Sequence, residues 1–117
     1  MILTERVYGY ANKNNFYKIF VDRLWPRGIS RDKAPWNEWI RDIAPGNELR
    51  KWFGHRPERW TEFREKYLTE LSHKQSELQR IKNLEKVHGT IVLLYAARDT
   101  EHNNAIIIRE ILMKNIT

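Results

Sequence analysis

The sequence predicts an α/β fold: a small, mostly parallel sheet with packed helices, in a single domain spanning residues 1–117. Three observations carry that prediction. First, Ile91–Ala97 is the longest apolar run in the chain, and it turns abruptly polar at Arg98-Asp99. Such a run reads as a strand buried on both faces, and the polar turn after it opens a helix, which together make half of a βαβ unit. Second, Phe16–Asp22 reads as another strand, and the helical pattern between the two strands implies that they run parallel. Third, 117 residues suffice for a hydrophobic core without disulfide or metal staples.

Taken in order, Ile2–Tyr8 alternates roughly and contains β-branched residues, so it reads as a short strand. Gly9–Asn15 carries a glycine and three asparagines, the chemistry of a turn. If the first two strands were neighbours, so short a link would make them antiparallel. After Asp22, Pro26 holds Trp25 extended and Gly28 permits a positive φ, so Arg23–Gly28 is a stiff loop presenting Arg23 and Arg27.

Ser30–Ile43 has Trp36, Trp39, Ile40 and Ile43 at i, i+3, i+4, i+7, which predicts a helix. Pro35 is tolerated only in a first turn, so the regular part starts near Ala34. Ala44-Pro45-Gly46 ends it. Asn47 then caps a short helix over Glu48–Phe53, with Gly54 at its C-terminal cap. His55 follows, where a histidine commonly bonds a carbonyl.

From Pro57 a long helical pattern begins. Trp60, Phe63, Tyr67, Leu68 and Leu71 form one stripe; Leu78, Ile81, Leu84 and Val87 resume it up to Gly89. Ser72–Ser76 loses the period, so two helices are expected rather than one of unusual length. Glu62 with Lys66, and Glu70 with Lys74, are i,i+4 pairs in the favourable order, as on a solvated face. His73 and His88 fall at surface or end positions. After the central strand a last helix runs from Glu101 to about Lys114, with Asp99 or Thr100 as its cap.

Composition bounds the function. There is no cysteine, which removes disulfides, thiolate metal sites and a thiol nucleophile, and which suits the cytoplasm. No signal peptide is visible in the first twenty residues, and no apolar run approaches the roughly 18 residues that span a bilayer, so no membrane partner is expected. The net charge of +6 favours anionic partners, either a small anionic ligand or nucleic acid. Five tryptophans predict a rigid, aromatic-rich core.

Ligands of open α/β sheets gather at the carboxyl ends of the strands. One strand end supplies Asp22, Arg23 and Arg27; the other supplies Tyr95, Arg98, Asp99, His102, Asn103 and Asn104. Arg23, Arg27 and Arg98 have the chemistry to hold an anion, Asn103 and Asn104 to orient it, and Asp22, Asp99 or His102 to move protons. Two alternatives stand beside this reading. The loop arginines with Trp25 suit nucleic-acid contacts, and the same polar groups suit a purely structural network, including an ion pair of Asp22 with an arginine. No Walker loop, GxGxxG or G-x-S-x-G is present. No cofactor is expected. Asp22, Asp99 and His102 could hold magnesium only weakly, and no motif spacing points to a metal.

VDRLWPRGIS, IAPGNELRKWFGH and LLYAARDTEHNNA, in that order, resemble the YeaO-like branch of the bacterial domain-of-unknown-function family numbered four-eight-eight. The resemblance covers most of the chain from Val21 to Ala105. It implies a small cytoplasmic α/β domain and names no activity. Longer relatives of the wider family carry a cysteine at the end of the central strand and a Cys-His-Arg triplet at the next helix start. Here those positions are Tyr95 and Asn103-Asn104-Ala105, so thiol chemistry cannot carry over.

Overall fold

The computed structural model describes residues 1–10 and 15–114. They form β1 (Ile2–Arg6), β2 (Tyr17–Phe20), β3 (Glu38–Trp39), α1 (Asn47–Phe53), α2 (Trp60–Ser72), α3 (Gln75–His88), β4 (Ile91–Tyr95) and α4 (Asn104–Lys114). The sheet runs β1-β4-β2-β3 with every neighbouring pair parallel. β4 is the axis. It pairs with β1 from Ile2↔Ile91 to Arg6↔Tyr95, and with β2 from Tyr17↔Ile91 to Phe20↔Leu94. All of its residues are buried, which is why its sequence is continuously apolar.

β1 and β2 are not neighbours, because β4 lies between them. The condition for antiparallel pairing is therefore not met. The turn expected at Gly9–Asn15 falls largely at residues 11–14, outside the described residues; Gly9 itself has φ +73°.

The two sheet faces are covered differently. On one, Ile19, Leu93 and Tyr95 pack with Phe63, Tyr67, Ile81, Ile107 and Ile108 from the helices. On the other, Val7, Phe20, Val92 and Leu94 are covered by the loop residues Tyr8, Ile29 and Trp36 and by Trp39 of β3. Each fully buried aliphatic side chain contributes about 1.5–3 kcal/mol relative to exposure. The tryptophans are placed differently from the expected core role. Trp36, Trp39, Trp52 and Trp60 are only partly buried, and Trp25 is exposed.

The helix predicted over Ser30–Ile43 does not form. In its place are a single 3-10 turn at Arg31–Lys33, strand β3 and a second 3-10 turn at Arg41–Ile43. The backbone bonds go to β2 instead: Asn37 N–H donates to the Lys18 carbonyl at 2.8 Å and Ile40 N–H to the Phe20 carbonyl at 3.0 Å. The apolar residues then split. Trp36 and Trp39 join one sheet face, Ile40 and Ile43 the other.

α1 begins one residue earlier than expected, with Gly46 rather than Asn47 at its N-terminal cap, and ends in left-handed Gly54. Residues 57–88 are two helices, as the interrupted period implied, after a 3-10 turn at Pro57–Arg59. Val87 departs from the expected stripe, with 76% of its surface exposed. Glu62 and Lys66 pair at 2.7 Å. Glu70 and Lys74 turn to the preceding loop: Glu70 accepts the Gly46 N–H at 2.9 Å and Lys74 Nζ donates to the Ala44 carbonyl at 2.9 Å. α4 starts at Asn104, not Glu101. Among the described residues no helix is long and apolar enough to cross a membrane.

Candidate functional site

Because the strands are all parallel, their carboxyl ends share one sheet edge. There the ends of β2 and β4 are stitched together: Val21 N–H donates to the Leu94 carbonyl at 3.1 Å, and the Ala96 N–H donates to Asp22 Oδ2 at 3.0 Å. Asn104, at the start of α4, donates to the Val21 carbonyl at 2.9 Å. A cleft of about 360 Å³ opens above this junction. Arg27 and His102 both line it, so the loop after β2 and the turn after β4 meet at one rim.

Asp22 sits at the junction between the two strand ends. Burial pushes its carboxyl up, while the Ala96 N–H, the Asn104 side chain and the charge of His55 pull the other way. It makes no ion pair with an arginine among the described residues. Asn103 is buried and caps α4 through its Oδ1, which accepts the Ile106 N–H at 3.1 Å; its Nδ2 donates to the Asp99 carbonyl at 3.0 Å. Asp99 folds the preceding turn by accepting the Glu101 and His102 N–H groups, and its other oxygen lies 2.8 Å from His102 Nδ1. Those bonds, first from the Glu101 N–H and then from His102, hold the Asp99 carboxyl below its ordinary range. The His102 ring also meets Trp60 edge-on at 5.1 Å. With Nδ1 engaged, Nε2 is the nitrogen left for a ligand.

The remaining sequence-predicted residues divide. Arg27 lines the cleft and is exposed. Arg23 also reaches it, but its guanidinium holds the next loop, donating to the Pro45 carbonyl at 2.8 Å and to Ala44 at 3.2 Å. Arg98 is exposed and Tyr95 is buried, and neither lines the cleft. Glu101 lies ahead of α4.

Sequence reasoning missed Arg50 and Lys51 on α1 and undervalued His55. All three line the cleft. Arg50 Nε is buried without a hydrogen-bond partner among the described residues. His55 has φ +58°, directly after Gly54 at +54°, a left-handed pair that carries the chain around the cleft mouth. The signal available was the run RKWFGH itself, basic residues just ahead of a glycine cap.

A family model described as "Inactive DUF488-N3 subclade" matches residues 1–117. The chain belongs to this family. It is 39% identical over 109 residues to the uncharacterized protein YeaO of Escherichia coli K12, covering 93% of this chain and 94% of that one. It is 33% identical over 111 residues to the uncharacterized protein Rv3073c of Mycobacterium tuberculosis H37Rv, covering 95% and 92%. No solved structure gives a significant match.

Proposed function

We propose that this α/β domain acts in the cytoplasm by binding a small phosphorylated or carboxylated molecule in the cleft, without turning it over. The observation that carries the reading is Arg50, whose Nε donor is buried beside the cleft with no acceptor among the described residues. A buried unsatisfied donor costs about 1–3 kcal/mol, and an anion in the cleft removes that cost. The charge around it agrees. Among the described residues, four cationic side chains, Arg23, Arg27, Arg50 and Lys51, line the cleft against the one carboxylate of Asp22. His102, held in place by Asp99, lines the same cleft.

Binding without turnover is supported by the family's description as inactive and, through the resemblance, by Tyr95 standing where wider relatives carry a cysteine and Asn103-Asn104-Ala105 where they carry a Cys-His-Arg triplet. The cytoplasmic assignment rests on the cysteine-free composition.

The test is a thermal-shift titration with phosphate, sulfate and simple carboxylates, using chloride at equal ionic strength as control. A ligand at 100 times its Kd adds about 2.7 kcal/mol of stability. Stabilisation by one of these anions, lost in Arg50→Leu and weakened in Arg27→Ala, supports the proposal. Responses no greater than with chloride overturn it. Binding to nucleic acid that weakens steeply with salt, with no small-anion response, would favour the nucleic-acid alternative.

A further inference from the structure

An anion alone does not engage every polar group that lines the cleft. Asp22 lines it, and a carboxylate there repels phosphate. The Ala96 N–H, at 3.0 Å from Oδ2, leaves acceptor capacity on the carboxylate oxygens. That capacity fits an N–H donor on the ligand. Trp25 lines the same cleft and is the exposed member of the tryptophan cluster, at 37%. Its ring is not loose. The indole Nε1–H donates to the Ile29 carbonyl at 2.6 Å, and Trp36 and Trp39 meet it edge-on at 4.9 and 5.7 Å. An aromatic ring held rigid and left more than a third exposed can serve as a stacking platform, because little side-chain freedom remains to be lost on binding. Pro26, buried next to it, stiffens the same loop.

We infer that the ligand is a mononucleotide-like molecule: a planar ring bearing an N–H donor stacks on Trp25 near Asp22, and its phosphate lies toward Arg27 and Arg50. The inference rests on the anion-binding reading above and adds the other half of the ligand. The cleft's size agrees, since about 360 Å³ stands at the small end of ligand pockets and suits one nucleotide unit.

The experiment compares AMP, ribose 5-phosphate, adenosine and inorganic phosphate by isothermal titration calorimetry against the full chain. Base–aromatic stacking predicts that AMP binds about tenfold or more tightly than ribose 5-phosphate. Trp25→Leu should bring AMP down to the ribose 5-phosphate level and leave ribose 5-phosphate itself unchanged; Trp25→Phe should keep most of the difference. Equal affinities for AMP and ribose 5-phosphate overturn the stacking inference while the anion site stands. Adenosine binding as tightly as AMP overturns the anion reading and keeps the stack. If Trp25→Leu weakens both phosphates equally, Trp25 is structural and the inference fails. Binding of none of the four overturns both.

Discussion

Asp99 holds both the backbone and the ring of His102: its Oδ1 accepts the His102 N–H at 3.0 Å, and its Oδ2 lies 2.8 Å from Nδ1. One short carboxylate thus shapes the turn after β4 and sets which ring nitrogen faces a ligand. Tautomer and orientation are decided before any ligand arrives.

Asp99 gives the first prediction. Its folded-state pKa is depressed, so its contribution is present above the unfolded carboxylate pKa of about 3.9 and is lost as pH falls through the lower folded value. Asp99→Asn should therefore be less stable than the parent chain at neutral pH, and the gap should close as pH drops below about 4. Asp22 works in the opposite sense. Burial raises it, so its contribution is largest in acid and is lost as pH rises through the folded value. Urea midpoints across the acid range check both slopes. A gap that stays constant with pH would show that the Asp99 carboxylate is not the group responsible.

Arg23 and Arg27 sit in one loop but should behave differently. Arg23 anchors the carbonyls of Ala44 and Pro45, so Arg23→Leu should cost about 1–3 kcal/mol of stability by leaving that of Pro45 unpaired, while Lys74 still holds that of Ala44. Arg27 is exposed, so Arg27→Ala should stay within about 0.5 kcal/mol of the parent and lose part of the anion response. Denaturant melts with and without phosphate separate the two. Equal destabilisation by both would contradict the assignment.

Tyr67 is fully buried and donates its hydroxyl to the Ile43 carbonyl at 2.6 Å, fixing the turn at Arg41–Ile43 onto α2. Tyr67→Phe keeps the ring and orphans that carbonyl, so a loss of about 1–3 kcal/mol is expected, with the fold retained by circular dichroism. A neutral result would mean that water replaces the hydroxyl.

The left-handed pair Gly54–His55 should respond asymmetrically. A Cβ at Gly54 meets only the Lys51 carbonyl at 3.5 Å, an ordinary contact, so the cost of Gly54→Ala is backbone strain of roughly 1–2 kcal/mol. At His55 the strain is already present, so His55→Gly should be near-neutral in stability, strain relief offsetting the roughly 0.5–1 kcal/mol entropic cost of glycine. It should still weaken anion binding. Calorimetric melting of the two variants, with phosphate titration of the second, tests this.

Local chemistry alone was enough for the parallel run of β2 and β4, the helix break within 72–76, the loop at Pro26 and the shared cleft lining of Arg27 and His102. Each follows from short-range rules: an apolar run buried on both faces, a lost period, a fixed φ, and the shared edge of parallel carboxyl ends. The α/β class was legible for the same reason. Three things were decided only when the chain closed on itself. Ser30–Ile43 has helical spacing, yet Asn37 and Ile40 find carbonyls on β2, and an open sheet edge outcompetes a helix already compromised by Pro35. Glu70 and Lys74 have ion-pair spacing, yet the 44–46 loop offers partners that cannot reach water as easily. Arg50 and His55 are far in sequence from either strand end. Only the packing of α1 beside the sheet edge brings them to the cleft, because proximity of that kind is a property of the assembled layers and not of any window of residues.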